Sequence, residues 1–399
     1  MKHVLFVDDE PHILEGLRNT LRRQRDQWAM SFHSSGAAAL EYLATQTCDV
    51  MVTDMRMPGM DGASLLQTVK ERYPQMARVI LSGQTGRDDM LRATPAMQQF
   101  LAKPCDPQLL RETVERLCRV QCLMHDERIR SLVGALDRLP SFPESYRRLT
   151  ALMEDDSSDA NDIVEVAQSD AALSTKLLQL ANSAYFGQPG ATVSVRQAVC
   201  RVGIDLIRSL ALSAQLFAGL SPALLKIPSI ATLADRSLFK AQLASRLVED
   251  RTLSDEVFTT ALLMDVGQIV LANSLGNSYA EALHEAEAGE RPLHDIEQQR
   301  LGVTHAGVGA YLLGIWGLPI RLVDYVARHH IPSLAEDAPA PGLIAVHLAD
   351  TLVDAVLAGS ENPLQALDPG ILADEECKRR APAALAATVE MLAAAGACR

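Results

Sequence analysis

Aromatic residues are scarce in this sequence, 4% of 399 positions with only two tryptophans. No cluster of Lys and Arg with interleaved aromatics occurs, and the net charge is −13, so a large nucleic-acid-binding surface is not expected. The excess of acid chiefly favours solubility. Cysteine, at seven positions, is odd in number and never spaced CxxC, which argues against both a disulfide framework and a zinc ribbon. Cys118 and Cys122 stand one helical turn apart; that spacing suits a metal, but two small core residues are the simpler reading. The first residues, MKHVLFVDDE, read as the start of a strand and not as a signal peptide. The apolar run Val257–Leu275 is long enough to span a bilayer, yet it contains Asp265, Gln268 and Asn273. One or two buried helices account for it better, so a cytoplasmic protein without a membrane partner is expected.

What is present is a well-packed globular composition, 48% hydrophobic and 22% charged, rich in Ala and Leu. The length calls for two or three domains. In the first part, HVLFVD (3–8), WAMSFH (28–33), CDVMVTD (48–54), ARVILS (77–82) and QQFLAK (98–103) are strand candidates. Helical patterns separate them, such as Pro11–Arg25 with Ile13, Leu14, Leu17 and Leu21 on one face. Five alternations predict an α/β, doubly wound, five-stranded parallel sheet with helices on both faces. In such sheets reactive groups collect beyond the carboxyl ends of the strands. Here those ends carry Asp8, Asp9, Asp54, Ser82 and Lys103.

Carboxylates gathered on one edge repel unless a hard cation with oxygen ligands, such as Mg²⁺, sits among them. With that ion on Asp8, Asp9 and Asp54, one carboxylate can attack a phosphoryl group and form an aspartyl phosphate. The Ser82 hydroxyl and the Lys103 ammonium can then hold the phosphoryl oxygens. Pro104 fixes the chain after Lys103; a cis bond there would aim the lysine back at the site. VDDE (7–10), TDMRMPGMDG (53–62), LSG (81–83) and FLAKP (100–104) together resemble a response-regulator receiver domain over residues 1–120. The resemblance implies a flavodoxin-like fold, Asp54 as phosphoacceptor, and Asp8 and Asp9 as Mg²⁺ ligands aided by the carbonyl of Arg56. It also implies phosphoryl contacts from Ser82 and Lys103, Phe100 as an aromatic switch, and a cognate histidine kinase or phosphotransfer protein as partner.

From Asp106 a helical pattern continues through RETVERLCRVQCLMHDERIRSLVGALDRL. Leu110, Val114, Leu117 and Met124 share a stripe that Gln121 and Arg128 interrupt. A connecting helix over 121–135 is expected, with a dimeric coiled coil, and hence a homodimer, as the alternative. LPSFPES (139–145) then opens a new unit.

The remainder reads as all-α. Ser158 or Asp159 starts one helix, and Ser169 or Asp170 starts another that ends near Gly187 and buries Leu173, Leu177, Leu178 and Leu180. Gly203 divides or bends the next, and Asn182 and Ser183 read as caps. His and Asp accumulate later, at Asp265, His284, His294, His305, His329, His330, His347 and Asp350, and such sets on facing helices can build metal sites. LPSFPESYRRLTALMEDD (139–156), LLQLANSAYFG (177–187), AVCRVGIDLIRSLAL (198–212), LLMDVGQIVL (262–271) and THAGVGAYLLGIWGLP (304–319) resemble an HDOD output domain over residues 136–335. Residues 336–399 read as a helical extension of it.

That family is related to the HD phosphohydrolases and HD-GYP cyclic di-GMP phosphodiesterases. In those relatives an early His, an adjacent His-Asp pair, later histidines and a closing Asp hold metal. Here His305, His329, His330 and Asp350 survive, whereas Arg236 stands near the early His and Met264 replaces the His before Asp265. A thioether is a poor ligand for a hard or borderline ion, and an Arg puts a cation where one should bind. A degenerate site without metal follows, with Asp265 paired to Arg236 or hydrogen-bonded to a surviving histidine. The leading expectation is therefore a non-catalytic output that acts on a further signalling protein. The alternative is a residual metal-dependent cyclic dinucleotide phosphodiesterase. A DNA-binding reading rests on SVRQAVCRVGIDLIRSL alone, whose apolar content makes it a core helix first.

Overall fold

The computed structural model describes residues 1–83, 96–123, 127–136, 139–141, 148–149, 152, 159–182, 192–203, 207, 217–219, 226–289, 291–334, 339–373 and 375–394. Met124, Ser158, Ser183 and Gly187, singled out above, lie outside them, as do the side chains of Cys122 and Leu180.

Strands β1 (Lys2–Val7), β2 (Trp28–His33), β3 (Val50–Asp54), β4 (Ala77–Ser82) and β5 (Gln99–Ala102) form one sheet in the order β2-β1-β3-β4-β5. Every neighbouring pair is parallel, with Phe6 beside Val52 and Thr53 beside Ile80. Parallel strands are covered on both faces, which is why Val4–Val7, Val50–Val52 and Val79–Leu81 are continuous apolar runs, all buried. Chain order reverses at β1, so a crevice opens at the carboxyl ends of β1 and β3.

Local chemistry sets the helices around that crevice. Ser35 caps helix Gly36–Leu43 by accepting from the Ala38 amide, and Asp61 caps Gly62–Arg72 by accepting from Ser64. A Cβ on Gly62 would stand 2.1 Å from the Asp54 carbonyl oxygen, so the glycine of the MDG run lets this helix begin against the end of β3.

Helices Pro107–Leu123 and Glu127–Gly134 stand on either side of residues 124–126, which lie outside the described residues. Of the stripe expected there, Leu110, Val114 and Leu117 are buried within the chain. Arg78 donates to the Gly134 carbonyl at 2.8 Å and fastens the second helix to the start of β4.

Asp159 forms a capping box with Asp162 at the head of helix Ala160–Gln168. Asp170 accepts from Ala172 and Leu173 at the head of Ala171–Asn182. Asn182 is not a simple cap: its amide brackets Thr192, donating to the carbonyl and accepting from the N–H. The apolar run Arg251–Leu275 divides into helices Arg251–Leu263 and Val266–Leu275, and 83% of its most apolar window is buried inside the protein. Among the described residues, a two-stranded parallel sheet of Leu139–Ser141 with Phe217–Gly219 departs from an all-α second half. At the other end, helix Glu375–Ala394 packs Ala381 and Ala384 against Leu348 and Leu352 of helix Pro341–Leu357.

The two halves share one contiguous set of buried apolar side chains. At their boundary Val120 lies over Gly314, where a Cβ would come within 2.7 Å of it. Gln99 of β5 donates to the Ile315 carbonyl at 3.0 Å, and Arg116 donates to Gly317. Gln179 reaches back to the Gln98 carbonyl at 3.4 Å.

Candidate phosphorylation site and buried cation cluster

In the crevice, Lys103 donates to Asp8 at 2.7 Å and to Asp54. Asp54 also accepts from the Arg56 amide at 2.6 Å, and Asp8 from the Glu10 amide at 3.0 Å. The structure thus joins Asp8, Asp54 and Lys103 directly. Asp9 follows at the rim, half-buried, and Ser82 is buried at the end of β4, where β3 and β4 run side by side. Phe100 is fully buried on β5. The Lys103–Pro104 bond is cis, the option that the sequence leaves open.

Electrostatics there are finely balanced. Burial pushes the Asp54 carboxyl up, and the Lys103 ammonium and the Arg56 amide offset only part of that rise. For Lys103, burial lowers the ammonium, but Asp54 and Asp8 outweigh it and the net direction is upward. The donor set of Asp8, Asp9, Asp54 and a backbone carbonyl is all hard oxygen, which fits Mg²⁺.

The second half brings its His and Asp residues together around a residue that sequence reasoning missed. Lys240 is 1% exposed, and its Nζ lies 2.9 Å from Asp265, 2.7 Å from Asp350 and 2.8 Å from Asp354. Burial alone lowers a lysine, but these carboxylates outweigh it and hold the ammonium above its ordinary range. Asp265 is thereby pulled well below the usual carboxylate range against its burial, by Lys240 first and then by His305.

Of the two partners expected for Asp265, a surviving histidine is there, His305 with Nε2 at 3.3 Å, and Arg236 is not. It pairs instead with Asp354 at 3.4 Å and donates to the Ser229 carbonyl, one turn before Lys240 on the same helix, Leu233–Arg246. Lys240 was legible as an anomaly: Leu233, Ser237, Lys240, Ala241 and Ala244 share the buried face of that helix, and a lysine on such a stripe demands a partner. Met264, in the place of a ligand His, is wholly buried among apolar side chains.

The histidines form an ordered relay. His305 meets Glu297 through Nδ1 at 2.7 Å and Asp265 through Nε2 at 3.3 Å. Burial would lower it, but the two carboxylates push it up to about 10, so it is an imidazolium at neutral pH. Its Nε2 also lies 2.8 Å from Nε2 of His330, whose Nδ1 faces Asp350 at 3.0 Å. With His305 donating, His330 must accept at Nε2 and donate at Nδ1. His329 gives its Nδ1–H to the Val326 carbonyl at 2.7 Å, and its Nε2 is buried without a hydrogen-bond partner. Burial, then His330, pushes His329 down to about 3, leaving a neutral ring with a bare lone pair. Of the remaining histidines, His347 is a structural link between the His329 carbonyl and the Asp368 amide, His294 stacks on His330, and His284 is exposed beside Glu287.

Asp265, His329 and Asp350 converge with one ligand atom each within 4.8 Å of one another, as do His305, His329 and His330. A metal donor set is therefore present in outline. It does not fit a divalent ion in this state, because the two carboxylates of the first group already embrace the Lys240 ammonium.

Close helix packing makes this convergence possible. A Cβ on Gly267 would lie 2.0 Å from the His305 carbonyl oxygen and 2.9 Å from the Gly309 amide. Gly267→Ala must separate helices Val266–Leu275 and His305–Ile315, and with them Asp265 and His305. We expect a loss of about 2–3 kcal/mol, read from urea midpoints; an unchanged midpoint would show that the two backbones can part without cost.

Comparison with known proteins gives two family matches, a response regulator receiver domain at residues 4–115 and an HDOD domain at residues 139–332. The hydrogenase transcriptional regulatory protein HoxA of Cupriavidus necator is 34% identical over 125 residues, 31% of this chain and 25% of that protein. An uncharacterised protein of Treponema pallidum is 25% identical over 208 residues, 52% of this chain and 40% of that protein. The chain thus spans 25–40% of the length of these relatives. The crystal structure of the MmoQ response regulator from Methylococcus capsulatus matches with a TM-score of 0.50 at 24% identity, over 61% of this chain and 98% of that one, a likeness of fold alone.

Proposed function

Since this chain is a response regulator in which a receiver domain is joined to an HDOD domain, we propose that phosphorylation of Asp54 controls a non-catalytic output that works by binding another signalling protein. A receiver domain implies a phosphodonor partner such as a histidine kinase. In this reading the receiver occupies residues 1–120, a connecting helix 121–135, the output domain 136–335 and its extension 336–399. The protein acts in the cytoplasm, without nucleic acid or membrane as ligand.

The observation that carries the reading is the path between the two sites. Strand β5 and the turn after it hold Phe100 and Lys103, and the same strand begins with Gln99, which is bonded to the output backbone at Ile315. Mg²⁺, held by Asp8, Asp9 and Asp54 with the Arg56 carbonyl, would neutralise charge on the entering phosphoryl group. Asp54 supplies the nucleophilic oxygen, and Lys103 and Ser82 bind the phosphoryl oxygens. When Lys103 turns from Asp8 and Asp54 to the phosphoryl group, β5 is the element that moves with it. The test is amide hydrogen exchange with and without acetyl phosphate and Mg²⁺. Protection at residues 314–318 should change in the wild type and stay constant in Asp54→Ala; no change in the wild type would sink the switching model.

A second reading, a residual metal-dependent phosphodiesterase, is favoured by the bare Nε2 of His329 facing Asp265 and Asp350. It requires turnover of a cyclic dinucleotide that His329→Ala abolishes, and absence of turnover with Mn²⁺, Fe²⁺ and Zn²⁺ removes it.

A further inference from the structure

We infer that the Lys240 ammonium is a tethered replacement for a divalent cation, and that a transition-metal site lies latent beneath it. The inference deepens the reading of the output as non-catalytic and rests on that part of it alone, not on switching by Asp54.

Three observations point the same way. First, Lys240 Nζ binds one oxygen from each of Asp265 and Asp350, at 2.9 and 2.7 Å, the two carboxylates that also converge with His329. Those carboxylates come from different helices, Asp265 at the head of Val266–Leu275 and Asp350 within Pro341–Leu357, so a single cation ties elements far apart in the chain. Second, the ring of His329 is oriented as a ligand ring is, with Nδ1–H fixed on a backbone carbonyl and Nε2 bare and buried. An imidazole lone pair buried without a donor is a cost that a purely structural residue has no reason to carry. Third, the carboxylates are supported as metal-binding carboxylates are: Asp265 accepts from Gln268 at 2.8 Å and from His305, and Asp350 faces His330.

Charge explains why the replacement excludes the ion. An ammonium carries one positive charge, and a divalent ion set between the same two carboxylates would stand in contact with it. Lys240 cannot leave by a rotamer change, since it is buried on the inner face of its helix. The donors it leaves, two carboxylates and one imidazole, suit a borderline ion such as Mn²⁺, Fe²⁺ or Zn²⁺ better than Mg²⁺.

The experiment is metal content per chain of the full-length protein after equilibration with Mn²⁺ or Zn²⁺ and removal of free metal. Wild type, Lys240→Ala, Arg236→Ala/Lys240→Ala and Lys240→Ala/His329→Ala are compared. The double variant with Arg236 matters because that guanidinium, one turn away, could swing onto the vacated carboxylates. The receiver site is identical in all four, so only the increment counts. A single additional ion in either of the first two variants, absent when His329 is also replaced, is the expected result. Should a variant lose cooperative unfolding without metal, its restoration by Mn²⁺ or Zn²⁺ counts as binding. Failure of both variants to gain or be restored by metal overturns the inference, as does a His329-dependent ion already present in the wild type. The exchange experiment above is indifferent to all of these outcomes.

Discussion

Replacing Asp54 by Asn should lower phosphoryl uptake from acetyl phosphate by about 10⁴-fold or more, in effect to background. The amide keeps the shape and leaves the acceptor from the Arg56 amide in place, but it has no anionic oxygen to attack phosphorus. Asp8 is not a substitute, although it shares Lys103 with Asp54: its Oδ1 is committed to the Glu10 amide, and it lies at the end of β1, not β3. Radiolabel or mass-shift measurement on the intact chain gives the answer directly. Labelling of the Asn variant at even a tenth of the wild-type rate would move the acceptor to another residue. Lys103→Ala should be milder, because it removes a phosphoryl contact and leaves the nucleophile. It should also raise the pH needed for labelling, since the ammonium is what offsets the upward push of burial on Asp54.

Lys176→Met should stabilise the protein at neutral pH. Lys176 sits in helix Ala171–Asn182, 7% exposed, with its ammonium 4.8 Å from the centroid of the Trp316 ring. Burial, then the charge of Lys70 on the receiver helix Gly62–Arg72, pushes it down to about 7 from an ordinary 10.5. Between those values the unfolded chain holds a proton that the folded chain has released. Stability of the wild type therefore rises with pH from about 7 to 10.5 at this residue, and the full cost applies below about 7. At about 1.4 kcal/mol per unit, the cost near pH ~8 is on the order of 3 kcal/mol, less what the indole face returns. Urea midpoints for wild type and variant should differ most at neutral pH and converge towards pH ~10.5. A gap independent of pH would mean that the lysine keeps its proton on the indole.

The sheet was almost wholly legible, because a buried parallel strand is a short apolar run and each of the five is bounded by turn residues. The cluster at the strand ends was legible for the same reason: once strand ends are known, Asp8, Asp54 and Lys103 must meet. The helical half was harder. Its histidines could be named, but which carboxylate each would meet depends on helix crossings that no local pattern encodes. Arg236 shows the difficulty. It and Lys240 lie four residues apart on one face, yet only the second reaches the centre, with the first turned to Asp354. Glu297, which holds His305 from behind, lies in LHDIEQQRL, where its acid looks like any solvated charge.

The boundary hydrogen bonds between the halves have an evolutionary consequence. Gln99 and Arg116 donate from receiver side chains to main-chain carbonyls at Ile315 and Gly317. Neither bond calls on an output side chain, yet the output residues there are held to glycine: a Cβ on Gly317, whose φ is +89°, would lie 2.7 Å from Gln99 Nε2, and one on Gly314 would lie 2.7 Å from Val120. Related chains should therefore keep glycine at positions 314 and 317 wherever they keep Val120 and Gln99 opposite. A receiver transplanted from another regulator would inherit the seam only if it brought Gln99 and Arg116 with it; a leucine at either position would strand a carbonyl that the output domain cannot silence by mutation.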